Sequence, residues 1–89
     1  MTDLTPNQRL AMQALIKSCL SNIGGSTLAD LEADPFVWVE VDDLIVAGWS
    51  PKEAQGTFAS LLVADLVYAA EYEVYALTED WDLLSDFHA

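Results

Sequence analysis

Between Asp42 and Ala54 a helix stop is followed almost at once by a helix start, and this punctuation limits the fold more than any other feature of the chain. Asp42 to Ala47 has the length of a two-turn helix, and Gly48 closes it. Ser50-Pro51-Lys52-Glu53 then opens another: a hydroxyl that caps, a proline suited to the first helical position, and a glutamate placed to reach back. Ala54, Phe58, Leu61 and Leu62 supply the buried face of that second helix, while Lys52, Gln55, Gly56 and Ser60 look outward. Trp49 lies in the turn between two apolar-faced helices and is expected to be substantially buried, with Leu44, Phe58 and Leu61 nearby.

Upstream, Thr5-Pro6-Asn7-Gln8 has the pattern of a capping box with proline at the first helical position. Met12, Leu15, Ile16, Cys19, Leu20 and Ile23 follow on one face of a helix, which Gly24-Gly25 stops. The stretch from Ser26 to Asp34 reads either as a short capped helix or as a loop ended by Pro35. Phe36-Val37-Trp38-Val39 is β-branched and aromatic, as a short strand requires. Leu66 to Ala70 and Val74 to Leu77 read as two strands of a hairpin, although Glu71-Tyr72-Glu73 lacks the Gly or Asn that tight turns favour. Thr78-Glu79-Asp80 starts a final short helix, with its acids at the positive end of the helix dipole.

The expected class is therefore α+β, a single domain over residues 1–89: three helices with a short strand, a C-terminal β-hairpin and a short final helix. With 53% of its residues apolar and nine aromatic side chains among 89, the chain can bury a core, unlike acidic sequences that stay unfolded. No apolar run approaches the ~20 residues of a membrane span. Polar residues interrupt the N-terminal segment where a signal peptide would be continuous, and a lone Cys19 suits a reducing compartment, so a cytoplasmic location is expected.

The order helix, short strand, helix, Gly-turn, helix, two strands resembles a winged helix. The resemblance is carried by Val41-Asp42-Asp43-Leu44-Ile45-Val46-Ala47-Gly48-Trp49-Ser50-Pro51-Lys52-Glu53-Ala54, which looks like the winged-helix sequence of a short helix, a Gly, an apolar turn residue, a cap and the recognition helix. Ser60 to Val67 resembles the lead into the wing, and Tyr75-Ala76-Leu77-Thr78 its return strand. One departure is plain: Asp65 stands where many such domains place Gly or Asn. The resemblance covers roughly residues 36–80 and implies a DNA-binding plan.

The charge contradicts that plan. The chain has three basic residues, Arg9, Lys17 and Lys52, against fifteen carboxylates, and no Lys or Arg follows Glu53. Specific binders commonly make about six to ten phosphate contacts. Three cations within a net charge of −12 cannot supply them, so no direct DNA binding is expected, and anionic membranes are repelled as well. A basic protein surface is the favoured partner. Duplex DNA carries one charge per about 1.7 Å of axis, a density that a small domain with carboxylates on several faces can imitate. Glu71, Tyr72, Glu73, Glu79, Asp80 and Asp82, near the wing and the final helix, are the candidate partner-binding residues. In size and charge alone, the chain is similar to small acidic phage and mobile-element inhibitor proteins that block nucleic-acid enzymes, including many inhibitors of bacterial CRISPR systems.

Other chemistries have little to stand on. Cys19 falls on the buried face of the first helix and His88 is penultimate, which leaves no nucleophile–base pair and too few ligands for zinc. Glu79-Asp80-Trp81-Asp82 is too short for a calcium loop, and no Gly-rich phosphate motif is present, so neither an enzyme nor a cofactor or metal site is expected. Three functions follow: a non-enzymatic acidic domain that blocks a nucleic-acid-binding protein by mimicry; a small winged-helix transcription regulator that binds DNA as a homodimer; or an assembly adaptor that uses the tail from Trp81 to Phe87. In that tail Trp81 and Leu84 are expected to dock on the domain itself.

Overall fold

In the computed structural model, residues 5–25, 27–33, 38–71 and 74–78 are described. They form α1 (Pro6–Ile23), α2 (Leu28–Glu32), α3 (Val41–Val46) and α4 (Pro51–Val63), followed by β1 (Val67–Glu71) and β2 (Val74–Leu77), which pair as an antiparallel hairpin. The class is α+β as expected, with four helices before the hairpin instead of three. The extra one, α2, takes the helical alternative for the Ser26–Asp34 stretch; it starts where the Asp30 carboxylate accepts the Thr27 N–H at 3.1 Å. The expected strand over residues 36–39 is reduced, in its described part, to one bridge: the Val39 N–H donates to the Tyr75 carbonyl at 2.9 Å. The final helix and the tail from Trp81 lie outside the described residues.

The helix starts form as the sequence dictates. At α1 the Thr5 hydroxyl accepts the Gln8 N–H at 3.1 Å, and the Gln8 side chain accepts the Thr5 N–H at 2.9 Å. At α4 the Ser50 hydroxyl accepts the Glu53 N–H at 3.2 Å and donates to the Glu53 carboxylate at 2.9 Å. The glutamate thus reaches back to the capping hydroxyl.

One device ends three of the helices. A residue at or just after the cap turns into the left-handed region, and the next N–H reaches back to a carbonyl five positions earlier. Gly25 donates to the Leu20 carbonyl at 2.9 Å, Trp49 to Leu44 at 3.0 Å and Leu66 to Leu61 at 3.0 Å. Gly24 and Gly48 carry the positive φ at the first two ends, and Asp65, at φ 59°, carries it at the third. This accounts for the departure noted at position 65. The position needs a left-handed residue, and Asp is one of the few non-glycine types that adopt that conformation with modest strain. Gly25 serves another purpose: a β-carbon there would lie 2.7 Å from the Asp30 β-carbon, so its small size lets α2 pack close to the end of α1.

The core is built on α1. Met12, Leu15, Ile16, Cys19 and Leu20 are buried, and they pack in one cluster with Leu31 of α2, Leu44 of α3, Ala54, Phe58 and Leu61 of α4, and Val67 and Leu77 of the hairpin. Ile23, expected on the same face, is only partly buried at the helix end. The radius of gyration, 12.0 Å, matches the ~12 Å expected of a single compact domain of this length. Trp49, expected to be substantially buried, packs against the core as a half-buried side chain and lines a surface groove. One expectation about exposure is corrected. Ser60 does not look outward; it is half-buried and its hydroxyl accepts a hydrogen bond from Gln8 Nε2 at 2.7 Å, which ties the first turn of α1 to α4.

The hairpin is not buried by alternation. Val67 is buried and the remaining four residues of β1 are exposed, while Val74 and Tyr75 are half-buried and Ala76 and Leu77 are buried. Its base is therefore set into the core, and β1 becomes exposed beyond Val67. The base is fixed by the pairing of Val67 with Leu77 and by the Thr78 N–H, which donates to the Leu66 carbonyl at 2.9 Å. Tyr75 meets the Phe58 ring edge-on, with centroids 5.2 Å apart, and so anchors β2 to α4. A register shift between Ala69 and Glu71 leaves Ala70 unpaired, as in a β-bulge.

Candidate partner-binding surface

The described carboxylates fall into two groups when traced through their hydrogen bonds. Four have structural duties. Asp30 and Glu53 serve the starts of α2 and α4, and Asp65 takes the left-handed position after α4. Asp43 is half-buried: one of its oxygens accepts the Glu40 N–H at 2.8 Å and the other the Ser18 hydroxyl at 2.9 Å, which clamps the start of α3 to α1. The other four, Glu32, Glu40, Asp42 and Glu71, are exposed. Acids in the first turns of α2, α3 and α4 lie where the helix dipole favours negative charge, so part of the acidic character of this chain stabilises its fold.

Of the six residues expected to form the partner-binding face, the described structure contains Glu71. It is exposed at the end of β1, opposite Val74 and beside the bulge. Tyr72, Glu73, Glu79, Asp80 and Asp82 lie outside the described residues. The base of the hairpin and α4 flank this end, and the character of their exposed side chains is informative. Lys52 is the one cation that α4 carries, and Pro51, Gln55, Gly56, Ala59 and Val63 complete its exposed residues beyond Glu53. On β1 the exposed residues are Tyr68, Ala69, Ala70 and Glu71. No Lys or Arg reaches solvent from the hairpin.

Cys19 is nearly inaccessible, at 1% exposure, and its thiol donates to the Trp38 carbonyl at 3.8 Å. Burial, reinforced by the negative charge of Asp43, pushes its pKa from 9.0 up to about 12, so it is a protonated core thiol. Among the described residues no group of three or more His, Cys, Asp or Glu side chains is arranged to hold a metal ion, and no helix is long and apolar enough to cross a membrane.

A feature that the apolar pattern of the sequence did not reveal is an open groove of about 440 Å³ between α1 and the turn from α3 into α4. Leu10 and Ala14 line one side, Gly48 and Trp49 the other, and Asn7 and Glu53 contribute polar groups. Leu10 is 56% exposed. The signal in the sequence was an apolar residue off the buried face of α1, next to Arg9 and outside the Met12–Leu15–Ile16 series. Comparison of the chain with protein-family models, with curated proteins and with solved structures gave no match.

Proposed function

We propose that this chain is a non-enzymatic, winged-helix-like protein-binding domain that covers the basic, nucleic-acid-binding surface of a partner by nucleic-acid mimicry. The observation that carries this reading is the charge of α4 and the hairpin. In a DNA-binding winged helix these elements supply the cations that neutralise phosphate. Here their exposed residues offer one lysine, Lys52, and the hairpin ends on Glu71. Without cations at those positions, the electrostatic term that dominates nucleic-acid affinity is missing. The same surface, with a chain charge of −12 behind it, is complementary to a basic protein.

Three features support the winged-helix reading of the fold. The turn from α3 into α4 has the expected Gly-Trp-Ser-Pro punctuation, with Gly48 in the left-handed region. The Val39 bridge joins the segment between α2 and α3 to the return strand of the hairpin, where the resemblance puts a short strand. Beyond Val67 the residues of β1 are exposed, as those of a wing strand are.

The test replaces Glu71, Glu73, Glu79, Asp80 and Asp82 by Gln or Asn and measures capture of proteins from native lysate at rising salt. The mimicry reading expects a nucleic-acid-handling partner that the unmodified protein retains at low salt, loses at high salt, and that the variant retains far less. Unchanged capture by the variant would sink it. Tight, sequence-specific binding of duplex DNA by the unmodified protein would restore the transcription-regulator function instead, and a salt-resistant structural partner would favour the adaptor.

A further inference from the structure

The groove between α1 and the α3–α4 turn combines a half-buried indole, a largely exposed leucine and a single charged side chain, Glu53. We infer that this groove receives an arginine side chain of the basic partner, stacked on Trp49 and paired with the Glu53 carboxylate. The inference rests on the reading that the partner is a basic protein surface, and adds a specific anchor to it at a place distinct from the hairpin.

Four observations lead to this occupant. Trp49 lines the groove beside the small residues Ala47 and Gly48, so an aromatic side chain is part of its wall. A guanidinium over a Trp face gains a cation–π attraction, and its flat fork also matches a carboxylate in a way that a lysine ammonium does not. Glu53 uses one oxygen to accept from the Ser50 hydroxyl at 2.9 Å, and a carboxylate has acceptor capacity for more than one donor. The charge complementarity is local as well as global. The partial positive charge at the start of α4 opposes a cation, and Glu53, in the first turn, is the side chain that reverses the sign at the groove. Leu10 and Ala14 then flank the aliphatic stem of the arginine, which is the usual arrangement for a side chain with an apolar stem and a charged head.

The position also suits a joint contact with the hairpin. Glu53 lies in the first turn of α4 and Val63 at its end, and ten residues of helical rise separate them by about 15 Å. A standard protein interface of about 800 Å² per partner spans such a distance. One partner surface can therefore meet both the groove and the hairpin.

The probes are hexa-arginine and hexa-lysine peptides, which carry equal charge and differ in the planar head group. Their binding to the full chain is measured by calorimetry at fixed ionic strength, together with the indole N–H resonance of Trp49. The unmodified protein is expected to bind hexa-arginine about threefold to tenfold more tightly than hexa-lysine, and the Trp49 resonance is expected to shift with the arginine peptide. Glu53→Gln and Trp49→Leu should each remove most of that preference. Glu32→Gln, which loses the same charge on α2, should keep it. Should Trp49→Leu fail to fold, Glu53→Gln and the Trp49 resonance still decide the matter. Equal binding of the two peptides, or a preference that survives Glu53→Gln with no shift at Trp49, overturns the arginine anchor and leaves the acidic-face reading standing. If neither peptide binds at all, the basic-partner reading falls, and the anchor with it.

Discussion

Asp65 shows how a single backbone angle can explain a residue that the sequence pattern made look out of place. At φ 59° an L-residue is strained, and glycine relieves the strain at the cost of a more flexible unfolded chain. Asp65→Gly is expected to raise stability by about 1 kcal/mol in urea denaturation, and Asp65→Ala to lower it. Equal stabilities for the two variants would mean that position 65 does not need the left-handed conformation. Cys19 gives a pH dependence of definite sign. Its folded pKa, about 12, is above the 9.0 of the free thiol, so between these values the unfolded chain releases a proton that the folded chain keeps. Stability should be unaffected by this group below pH 9 and should fall as the pH rises beyond it, by on the order of 1 kcal/mol per pH unit. Chemical denaturation of the protein and of Cys19→Ala across pH 8–11 isolates the effect as a difference in slope. The same burial predicts that thiol reagents label Cys19 only when the chain unfolds.

At the scale of elements, Gln8 ties the start of α1 to α4. It closes the capping box of α1 through one end of its amide and holds Ser60 of α4 through the other, at 2.9 and 2.7 Å. Gln8→Ala removes both bonds and is expected to cost about 1–2 kcal/mol. A double-mutant cycle with Ser60→Ala should return a coupling of about 0.5–1 kcal/mol. Additive effects of the two substitutions would place the stabilisation in the cap alone. The hairpin depends on packing at its base, where Val67, Ala76 and Leu77 are buried and Tyr75 meets Phe58, and Glu71, at the end of β1, is exposed to solvent.

At the scale of the whole molecule, charge density sets the behaviour. The principal extents are 31, 28 and 25 Å. At ~0.01 M salt the Debye length, about 30 Å, equals the size of the domain, so every carboxylate feels the rest; at ~0.15 M it shrinks to about 8 Å. With a net charge of −12, self-repulsion then destabilises the folded state most at low salt. The Tm is accordingly expected to rise by several degrees as sodium chloride is increased over that range. A Tm that is flat or falls with salt would show that the helix-start carboxylates gain as much from their dipoles and hydrogen bonds as they lose by repulsion.

Local order was legible in the sequence wherever it is set by local chemistry. The caps at Thr5 and Ser50, the stops at Gly24 and Gly48, the buried face of α1 and the two hairpin strands follow from side chains within a few residues of one another, and the structure bears them out. The helix α2 stood open between two readings because five residues nucleate a helix poorly without a tertiary contact, here the packing of Leu31 into the core beside Gly25. Only the tertiary structure decided the rest. The direction of the chain at Gly48 left Trp49 half-buried, the approach of α1 to α4 turned Ser60 inward to Gln8, and the two together opened the groove with Leu10. Those outcomes depend on how helices cross, which is set by the fit of side chains distant in sequence. The net charge of −12, by contrast, is a property of the sequence alone, and it repels polyanions whatever the fold, because long-range repulsion depends on the sum of charges.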